Sequence, residues 1–390
     1  MTDSAAPMPA SRLAVRRLAL SEFRCYTALR LEVGPGPVVL TGPNGAGKTN
    51  LLEALSLLVP GRGLRRASLA ELTRQGAAPG TPWAVSVRIE DEHGPAEIGT
   101  GRDPAGERRV VRIDGRTSRL VDLAGRMAAL WVTPAMDRLF SEGGSGRRRF
   151  LDRLAFGLES GHAAEAGSYD QAMRERARLL RVARDSGRPA DPVWLAALEQ
   201  GMARHGVRLA ANRLTTVARL DRACREGHGP FPAARLAVVG AVEEWLAAGA
   251  PPDAAEEQMR ATLRAARTRD QVAGATTFGP HRSDLAVRHA ARDIPAGQGS
   301  TGEQKAVLVA IILAQCRVQA CAGGRVPLLL LDEVAAHLDR DRRAALFDTL
   351  CALGAQSWLT GTDAPLFEAF GDRAQFFRVA DAAVEPGNGV

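Results

Sequence analysis

The chain has 390 residues, of which 45% are apolar and 24% are charged, and its formal net charge is +7. This balance is typical of a globular protein with room for two domains, or for one domain that carries a large insertion. No apolar run approaches the roughly 18 residues that a membrane helix needs, and the five cysteines form no CxxC pair and no metal-like spacing with histidine. Free thiols in the cytoplasm are therefore expected.

The first part of the chain, residues 12–145, is predicted to be rich in strands and to follow a disordered lead-in over residues 1–11. Apolar residues alternate with other residues along several segments, which is the period of a half-buried strand. A short apolar run that ends in Asp-Gly adds a β-hairpin. These strand predictions cover Arg12–Leu20, Leu29–Val33, Ala84–Ile89 and Val110–Ile113.

The one helix expected in this part follows a glycine-rich loop. The strand Val38–Thr41 runs into G-x-x-x-x-G-K-T and then into a helix with leucines on one face. Glycines let the backbone wrap phosphate groups, so that successive N–H groups and the helix N-terminus face the anion. Lys48 is expected to reach the β- and γ-phosphates, and the Thr49 hydroxyl is expected to coordinate Mg²⁺. The sequence thus predicts an ATP or GTP site formed by Gly42, Pro43, Asn44, Gly45, Ala46, Gly47, Lys48 and Thr49.

Lysine is almost absent from the chain, which makes its positions informative. The 51 basic residues are arginines except for Lys48 and Lys305. Lysine is a compact ammonium on a flexible stem, whereas arginine presents a wide planar fork. Both lysines lie in candidate phosphate-binding motifs, so both are assigned to phosphate binding.

Residues 146–276 are rich in Ala, Leu, Arg and Glu, and an inserted helical arm is expected there. Helices are predicted from apolar residues at helical spacing. The heptad pattern lasts only a few repeats, so a long coiled coil is not expected. The predicted helices are Ser168–Asp185, Val193–Arg225, Ala233–Ala247 and Asp253–Arg267.

The alternation of strands and helices returns at residue 277 and runs to residue 381, before a flexible tail over residues 382–390. Four leucines, Leu328–Leu331, followed by Asp332 and Glu333 predict a buried parallel strand that ends in two carboxylates. Asp332 would hold Mg²⁺ and Glu333 would polarise the attacking water. An exposed acidic turn is the alternative for this pattern taken alone.

A second glycine-containing helix start precedes the acidic strand. Ser300, Gly302 and Lys305 lie in S-T-G-E-Q-K, which begins 32 residues before Asp332, where ABC-type ATPases place their signature. In such proteins the signature of one subunit closes on the nucleotide of another. A local capping box between Ser300 and Glu303 is the alternative. The separation of 284 positions from Lys48 to Asp332 then predicts the fold: an α/β ABC-type P-loop ATPase head, with a mixed sheet and helices, that carries an inserted α-helical arm.

Two shorter motifs follow the acidic pair. Ala336–Asp339 matches the D-loop that lines the dimer seam of ABC ATPases, which assigns His337 and Asp339 to that seam; an ordinary helix start is the alternative. Thr362, in T-G-T-D, occupies the switch position, where transporter-type ABC ATPases carry histidine. Threonine cannot act as a base, so we expect slow hydrolysis.

Taken together, these motifs resemble the RecF family of SMC/Rad50-like ABC ATPases. The resemblance covers nearly the whole chain, although no Q-loop glutamine is assigned near Trp131–Phe140 and Glu303 stands where many ABC proteins carry Gln. Beyond the motifs above, it depends on Phe23-Arg24-x-Tyr26, Asn50, Pro60–Arg65, Trp131–Pro134, Asp137-Arg138, Arg148–Asp152 and Gly279–Asp284.

The resemblance implies a function as well as a fold. It implies that Arg24 and Asn50 belong to the nucleotide site, that ATP drives head-to-tail homodimers, and that the dimer binds gapped or junction DNA. It further implies partnership with RecR and RecO and help in loading RecA. The alternatives from other classes are the ATPase subunit of a membrane transporter, which would carry a switch histidine, and an SMC-type chromosome scaffold, which would carry hundreds of heptad residues.

Several arginine clusters could contact the phosphates of duplex DNA. Such contacts need only cations and should weaken with salt. Few of the 18 aromatic residues implied by 5 Trp, 2 Tyr and 11 Phe lie beside these clusters, so stacking on single-stranded bases is not indicated. The alternative is that an arginine-rich chain simply has solvated arginine faces. The candidates are Arg62, Arg65, Arg66, Arg147, Arg148 and Arg149.

Overall fold

The computed structural model describes residues 13–387, apart from 104–107, 160, 228, 322–325 and the side chain of residue 337. The predicted lead-in over residues 1–11 lies outside this range. The described residues fall into two compact units. Unit 1 takes those up to Asp137, those within 227–232 and those from Ser300 onward, and unit 2 takes those within 138–226 and 233–299. The insertion therefore spans more of the chain than the predicted 146–276.

The helices and strands are numbered in chain order. The first part of unit 1 contains β1 (Ala14–Phe23), β2 (Tyr26–Glu32), β3 (Val38–Thr41), α1 (Lys48–Ser56), β4 (Ala84–Asp91), β5 (Gly94–Arg102), β6 (Arg109–Ile113), β7 (Arg116–Ser118) and β8 (Ala129–Val132). Unit 2 contains α2 (Gly144–Phe156), α3 (His162–Ser186), α4 (Pro192–Arg225), β9 (Ala234–Val239), α5 (Ala241–Ala247), α6 (Pro252–Ala265), α7 (Arg267–Ala273), β10 (Asp284–His289) and β11 (Ile294–Pro295). The last part of unit 1 contains α8 (Thr301–Cys321), β12 (Leu328–Leu331), α9 (Arg340–Leu353), β13 (Ser357–Gly361), β14 (Gln375–Ala380) and β15 (Ala383–Pro386).

One sheet of unit 1 is antiparallel, with the strand order β2-β1-β4-β5-β6-β7. Along β4, exposed and buried side chains alternate strictly, as expected for a strand with one face on the core. Asp114 and Gly115 have φ angles of 49° and 78°, the left-handed pair that a tight two-residue hairpin requires. The strand and hairpin predictions for this region are confirmed.

The second sheet of unit 1 positions the candidate site. Its order is β15-β14-β3-β13-β12-β8, and β14, β3, β13, β12 and β8 are parallel. The register pairs Thr41 with Gly361 and Leu331 with Leu359, so neighbouring strands end at one edge. Ligands of open parallel sheets bind beyond such carboxyl ends.

Helix α8 and strand β15, near the end of the chain, differ from what their local sequence suggests. Helix α8 is long and apolar enough to cross a bilayer by composition, but 78% of its apolar window is buried inside the protein, as in a core helix. The flexible tail predicted from residue 382 is wrong over Ala383–Pro386, because these residues form β15 on the edge of β14.

Unit 2 is an α/β unit and not the purely helical arm that the sequence suggests. The long helices predicted over 168–185 and 193–225 are confirmed as α3 and α4. The helix predicted over Ala233–Ala247 is wrong in its first half, because β9 pairs with β10 and, through it, with β11. Burial alternates along β9, and Gly240 separates this strand from α5. Pairing with β10 also places residues up to 299 in unit 2.

Candidate functional site

The loop between β3 and α1 has the backbone that phosphate binding requires. Gly42, Gly45 and Gly47 have φ angles of 148°, 82° and 111°, a region that side chains disfavour. A Cβ on Gly42 would lie 2.0 Å from the Val379 carbonyl oxygen, and one on Gly47 would lie 2.6 Å from the Tyr26 hydroxyl. Gly47 caps α1 without a side-chain hydrogen bond, so the first N–H groups of the helix remain available to an anion.

Lys48 lies at the centre of this loop. Its Nζ donates to the carbonyl oxygens of Gly42 at 2.6 Å and Pro43 at 2.8 Å, and the residue is 5% exposed. Burial lowers the pKa of the ammonium from its ordinary value, while three nearby carboxylates, led by Glu333, oppose this shift. The cation is thus folded over the loop that is predicted to hold the phosphates.

Asp332 joins the phosphate loop to the acidic strand end. Its Oδ1 accepts hydrogen bonds from the hydroxyls of Thr49 and Thr360, each at 2.8 Å. A carboxylate and a hydroxyl at this separation are the hard oxygen donors that Mg²⁺ prefers, so the residues present fit this ion. The sequence analysis did not assign Thr360 to the site, although this residue begins the T-G-T-D of the predicted switch.

Glu333 and Thr362 complete this edge of the sheet. Glu333 has φ 53°, and its N–H donates to Thr360 Oγ1 at 2.9 Å, which fixes the turn that carries the carboxylate. Thr362 is exposed, and its hydroxyl donates to Asp363 Oδ2 at 2.9 Å. Thr41, Gly42, Pro43, Thr362, Asp363, Ala364, Pro365 and Arg378 line a cleft of about 400 Å³.

A cluster of charged residues lies along the flank of α1. Glu53, which is 1% exposed, accepts from Arg24 Nη2 at 2.7 Å and Nε at 2.8 Å. Arg65 Nη1 donates to Asn50 Oδ1 at 2.7 Å and lies 3.3 Å from Glu53 Oε2. The sequence assigned Arg24 and Asn50 to nucleotide and Arg65 to DNA; the structure brings all three together around Glu53, which the sequence missed.

The predicted signature begins at the exposed N-terminus of α8. The Ser300 N–H donates to Glu303 Oε2 at 2.8 Å, and the Glu303 N–H donates to Ser300 Oγ at 3.3 Å. This is the capping box that was the local alternative, and it leaves Ser300 exposed. Gly302 is open, because a Cβ there would meet no atom within 4 Å. Ser300 and Gly302 thus have the accessibility that a contact with a second subunit requires.

Lys305 does not share that accessibility. It is 1% exposed, and its Nζ lies 3.2 Å from Asp137 Oδ1, which follows β8. The structure contradicts the assignment of Lys305 to phosphate binding, because the ammonium is buried in an ion pair that holds α8 against the segment after β8. A buried lysine requires such a partner.

The D-loop residues have a local role in the structure. Asp339 is exposed, and its Oδ1 accepts from the Arg342 N–H at 2.8 Å at the start of α9, so it caps that helix. The side chain of His337 lies outside the described residues. The dimer role of both residues stays a prediction.

The two favoured arginine clusters differ in how free their side chains are. Arg62 and Arg66 are exposed, as DNA contacts require. Arg147 instead donates to both oxygens of Asp284 at 2.6 and 2.9 Å and also to carbonyl oxygens, while Arg148 donates to the Ser283 carbonyl oxygen at 2.8 Å. The assignment of Arg147 to DNA is corrected here, because its guanidinium is occupied within unit 2; Arg149 remains exposed.

Comparison with known proteins agrees with this geometry. Residues 14–382 match the model of the RecF/RecN/SMC N terminal domain. The chain is 49% identical over 378 residues to the DNA replication and repair protein RecF of Caulobacter vibrioides, which covers 95% of this chain and 97% of the relative. It is 47% identical over 373 residues to the same protein of Rhizobium meliloti, with 94% and 97% covered.

Solved structures show the same fold. The recombination mediator protein RecF-ATPrS in the RecFOR pathway matches with a TM-score of 0.82 at 21% identity, covering 97% of this chain and 100% of that one. An Smc head domain from Pyrococcus furiosus, with an extended coiled coil, matches with a TM-score of 0.54 at 16% identity, covering 96% and 95%. The ATPase head fold predicted from the sequence is confirmed.

Proposed function

The chain belongs to the RecF family of SMC-like, ATP-binding ATPases, and from this premise we propose that it is a DNA repair factor switched by ATP. In this proposal, ATP joins two copies head to tail, and the dimer binds gapped or junction DNA. With RecO and RecR it helps to load RecA, and slow, DNA-stimulated hydrolysis resets the switch. The names of its relatives, which refer to replication, repair and the RecFOR pathway, support this role. A cytoplasmic location is part of the same proposal.

The observation that carries the nucleotide part is the contact of Thr49 with Asp332 beside Lys48. Lys48 would neutralise the β- and γ-phosphates, and Thr49 and Asp332 would hold Mg²⁺. The ion would supply positive charge against the oxygens that become more negative during hydrolysis. Glu333 would orient and deprotonate the attacking water, and Thr362 would contact the γ-phosphate weakly enough to keep turnover slow.

The dimer and DNA parts have their own support. Ser300 and Gly302 are exposed at the N-terminus of a long helix, where a partner's γ-phosphate would be stabilised. Arg62, Arg65 and Arg66 form the best candidate for contacts to the DNA backbone, with Arg148 and Arg149 as weaker candidates. His337 and Asp339 would line the seam between the two copies.

Gel filtration tests the switch as a whole. The wild type and Glu333→Gln are compared with ATP, with ADP and without nucleotide, in the presence and absence of gapped duplex. We expect ATP to produce dimers, Glu333→Gln to prolong them, and the dimer to bind DNA more tightly than the ADP form. Monomers under every condition, together with DNA binding that ignores nucleotide, would contradict the proposal.

A charged residue at Ser300 tests the signature separately. Ser300→Arg should retain ATP binding by the single chain and lose the ATP-dependent dimer, because the new side chain fills the surface that meets the partner. Ser21→Arg, at an exposed serine of β1, is the matched control and should still dimerise. A dimer that persists in Ser300→Arg would remove Ser300 from the interface.

A further inference from the structure

Glu53 is a buried acid on the phosphate-loop helix for which the proposed mechanism has no use. It lies five residues after Lys48, in the middle of α1, and it is 1% exposed. A carboxylate so far from water needs cationic partners, since an unpaired buried charge is strongly destabilising. Two arginines from outside the helix supply them.

Arg24 alone satisfies the carboxylate of Glu53. Its Nη2 and Nε donate to Oε1 and Oε2 at 2.7 and 2.8 Å, the two-point geometry that makes arginine–carboxylate pairs strong. Its Nη1 donates to the Glu71 carbonyl oxygen at 2.8 Å. Arg24 itself has φ 54°, a costly conformation outside glycine. Its backbone bonds to Leu72 and Gln75 help to hold it there.

Arg65 is a second cation beside a carboxylate that is already satisfied. Its contact with Glu53 Oε2 is longer, at 3.3 Å, and the same Nη1 donates to Asn50 Oδ1 at 2.7 Å. The side chain is 43% exposed, and its Nε and Nη2 donate to no atom among the described residues. One edge of the guanidinium is therefore fixed by the protein and the other is free.

The fixed edge holds Arg65 close to the phosphate loop. Asn50 directly follows Thr49 in the first turn of α1, where the N–H groups and the helix dipole already favour anions. A preordered guanidinium with a free edge binds a phosphate group in two-point fashion.

We propose that Glu53 is a positioning residue that holds Arg65 beside the first turn of α1 as a phosphate-binding arginine. This inference rests on the proposed function, because the phosphate would belong either to the nucleotide or to the DNA backbone. Arg24 anchors Glu53, and Glu53 with Asn50 orients Arg65. Removal of the Glu53 charge should thus have the same effect on binding as removal of Arg65.

The experiment measures two affinities for Glu53→Gln, Arg65→Gln and the double variant. One arm uses a fluorescent, non-hydrolysable ATP analogue without DNA. The other uses gapped duplex over a series of salt concentrations, with the analogue at a concentration that saturates each variant. Arg65→Gln should weaken one of these by about tenfold, the cost of a lost hydrogen bond between charged groups. Glu53→Gln should weaken the same one by a similar factor, and the double variant should be no worse than the poorer single variant.

The affected arm identifies the source of the phosphate. A loss in the ATP arm assigns Arg65 to the nucleotide, and a loss in the DNA arm, with a salt slope reduced by about one, assigns it to the DNA backbone. Glu90→Gln and Arg30→Gln, which alter exposed ion pairs, are the matched controls and should leave both affinities unchanged. Melting curves show whether Glu53→Gln is folded. If Glu53→Gln is unfolded, Arg65→Gln still tests the inference, because it changes a half-exposed side chain.

Two outcomes would overturn the inference. One is an Arg65→Gln protein with wild-type affinity in both arms. The other is a double variant whose losses multiply, since independent effects would mean that Glu53 does not act through Arg65. A wild type that binds neither probe would instead contradict the proposed function.

Discussion

Each unit buries a cation, and these two cations differ in their partners: Arg176 in unit 2 is surrounded by acceptors, whereas Lys48 in unit 1 contacts carbonyl oxygens of its own loop. Arg176 in α3 is 0% exposed. It donates to Glu199 at 3.0 Å, to Asp270 at 2.7 Å, and to Thr276 and the Leu263 carbonyl oxygen at 3.3 and 2.8 Å. These contacts join α3 to α4, α6 and α7. A network satisfied in this way has a structural role.

The buried cation of the phosphate loop in unit 1 has different partners. Lys48 contacts two carbonyl oxygens of its own loop, although Asp332 and Glu333 are near enough to affect its pKa. The N–H groups at the start of α1 have no side-chain cap. Charge that is buried yet not neutralised in place is typical of binding sites. The comparison therefore contrasts a residue that holds the fold with a residue for which we propose a role in phosphate binding.

The largest effect on stability should come from the closed network of unit 2. Arg176→Met leaves Asp270 without its guanidinium and removes one of the two that Glu199 contacts, so we expect a loss of about 3–5 kcal/mol in the free energy of unfolding. Urea unfolding measures it. The control, Arg178→Met, removes a half-exposed partner of Glu175 and should cost less than about 1 kcal/mol. Similar losses for the two variants would mean that the buried network of Arg176 contributes no more stability than an exposed ion pair.

The site of unit 1 should show the reverse pattern. Asp332→Asn keeps an oxygen that accepts from Thr49 and Thr360 but loses the negative charge for Mg²⁺. We expect ATP turnover to fall about 100-fold, or about 2.7 kcal/mol, with the free energy of unfolding within about 1 kcal/mol of the wild type. Steady-state kinetics and urea unfolding on the same samples give both numbers. Asp348→Asn, at an exposed ion pair, is the control and should change neither number. A large loss of stability in Asp332→Asn would mean that Asp332 mainly holds the fold.

Sequence patterns were sufficient where the chemistry is local. The glycines of the phosphate loop and the hairpin at Asp114 each depend on residues a few positions apart, so their spacing predicts them. The capping box at Ser300 is equally local, and the sequence offered it as the alternative to the signature. The buried strand before Asp332 was also predicted, because four leucines followed by an acid leave few other structures.

Long-range pairs left no such signal. Lys305 and Asp137 are 168 positions apart, and nothing near Lys305 shows that its ammonium is buried. Glu53 appears in the sequence as one more acid on a helix, and only the fold brings Arg24 and Arg65 to it. The local sequence predicts a helix at β9, because the partner strand β10 lies beyond three intervening helices. Pairing across that distance outweighs the local preference.

The smallest expected effect is the pH dependence of stability caused by Asp152, a carboxyl of unit 2 that is paired with Arg213 and His162. Burial opposes ionisation of Asp152, but the Arg213 guanidinium and the hydrogen bond with His162 outweigh it and lower the pKa of the carboxyl from 3.8 to about 2. Because the folded pKa lies below the unfolded one, the stabilisation is complete above about pH 4 and is lost as the pH falls towards 2. The shift is worth about 2 kcal/mol.

Asp152→Asn should therefore be less stable than the wild type at pH 7, and the difference should shrink by about 2 kcal/mol between pH 5 and pH 2. Urea unfolding over this range measures it. Asp185→Asn, at an exposed pair on α3, should follow the wild-type curve at all pH values. A difference that stays constant would mean that Asp152 contributes packing or hydrogen bonds but not charge. The partners of Asp152 would then stabilise the fold through packing and hydrogen bonds. Charge pairing would no longer distinguish this network from the site around Lys48.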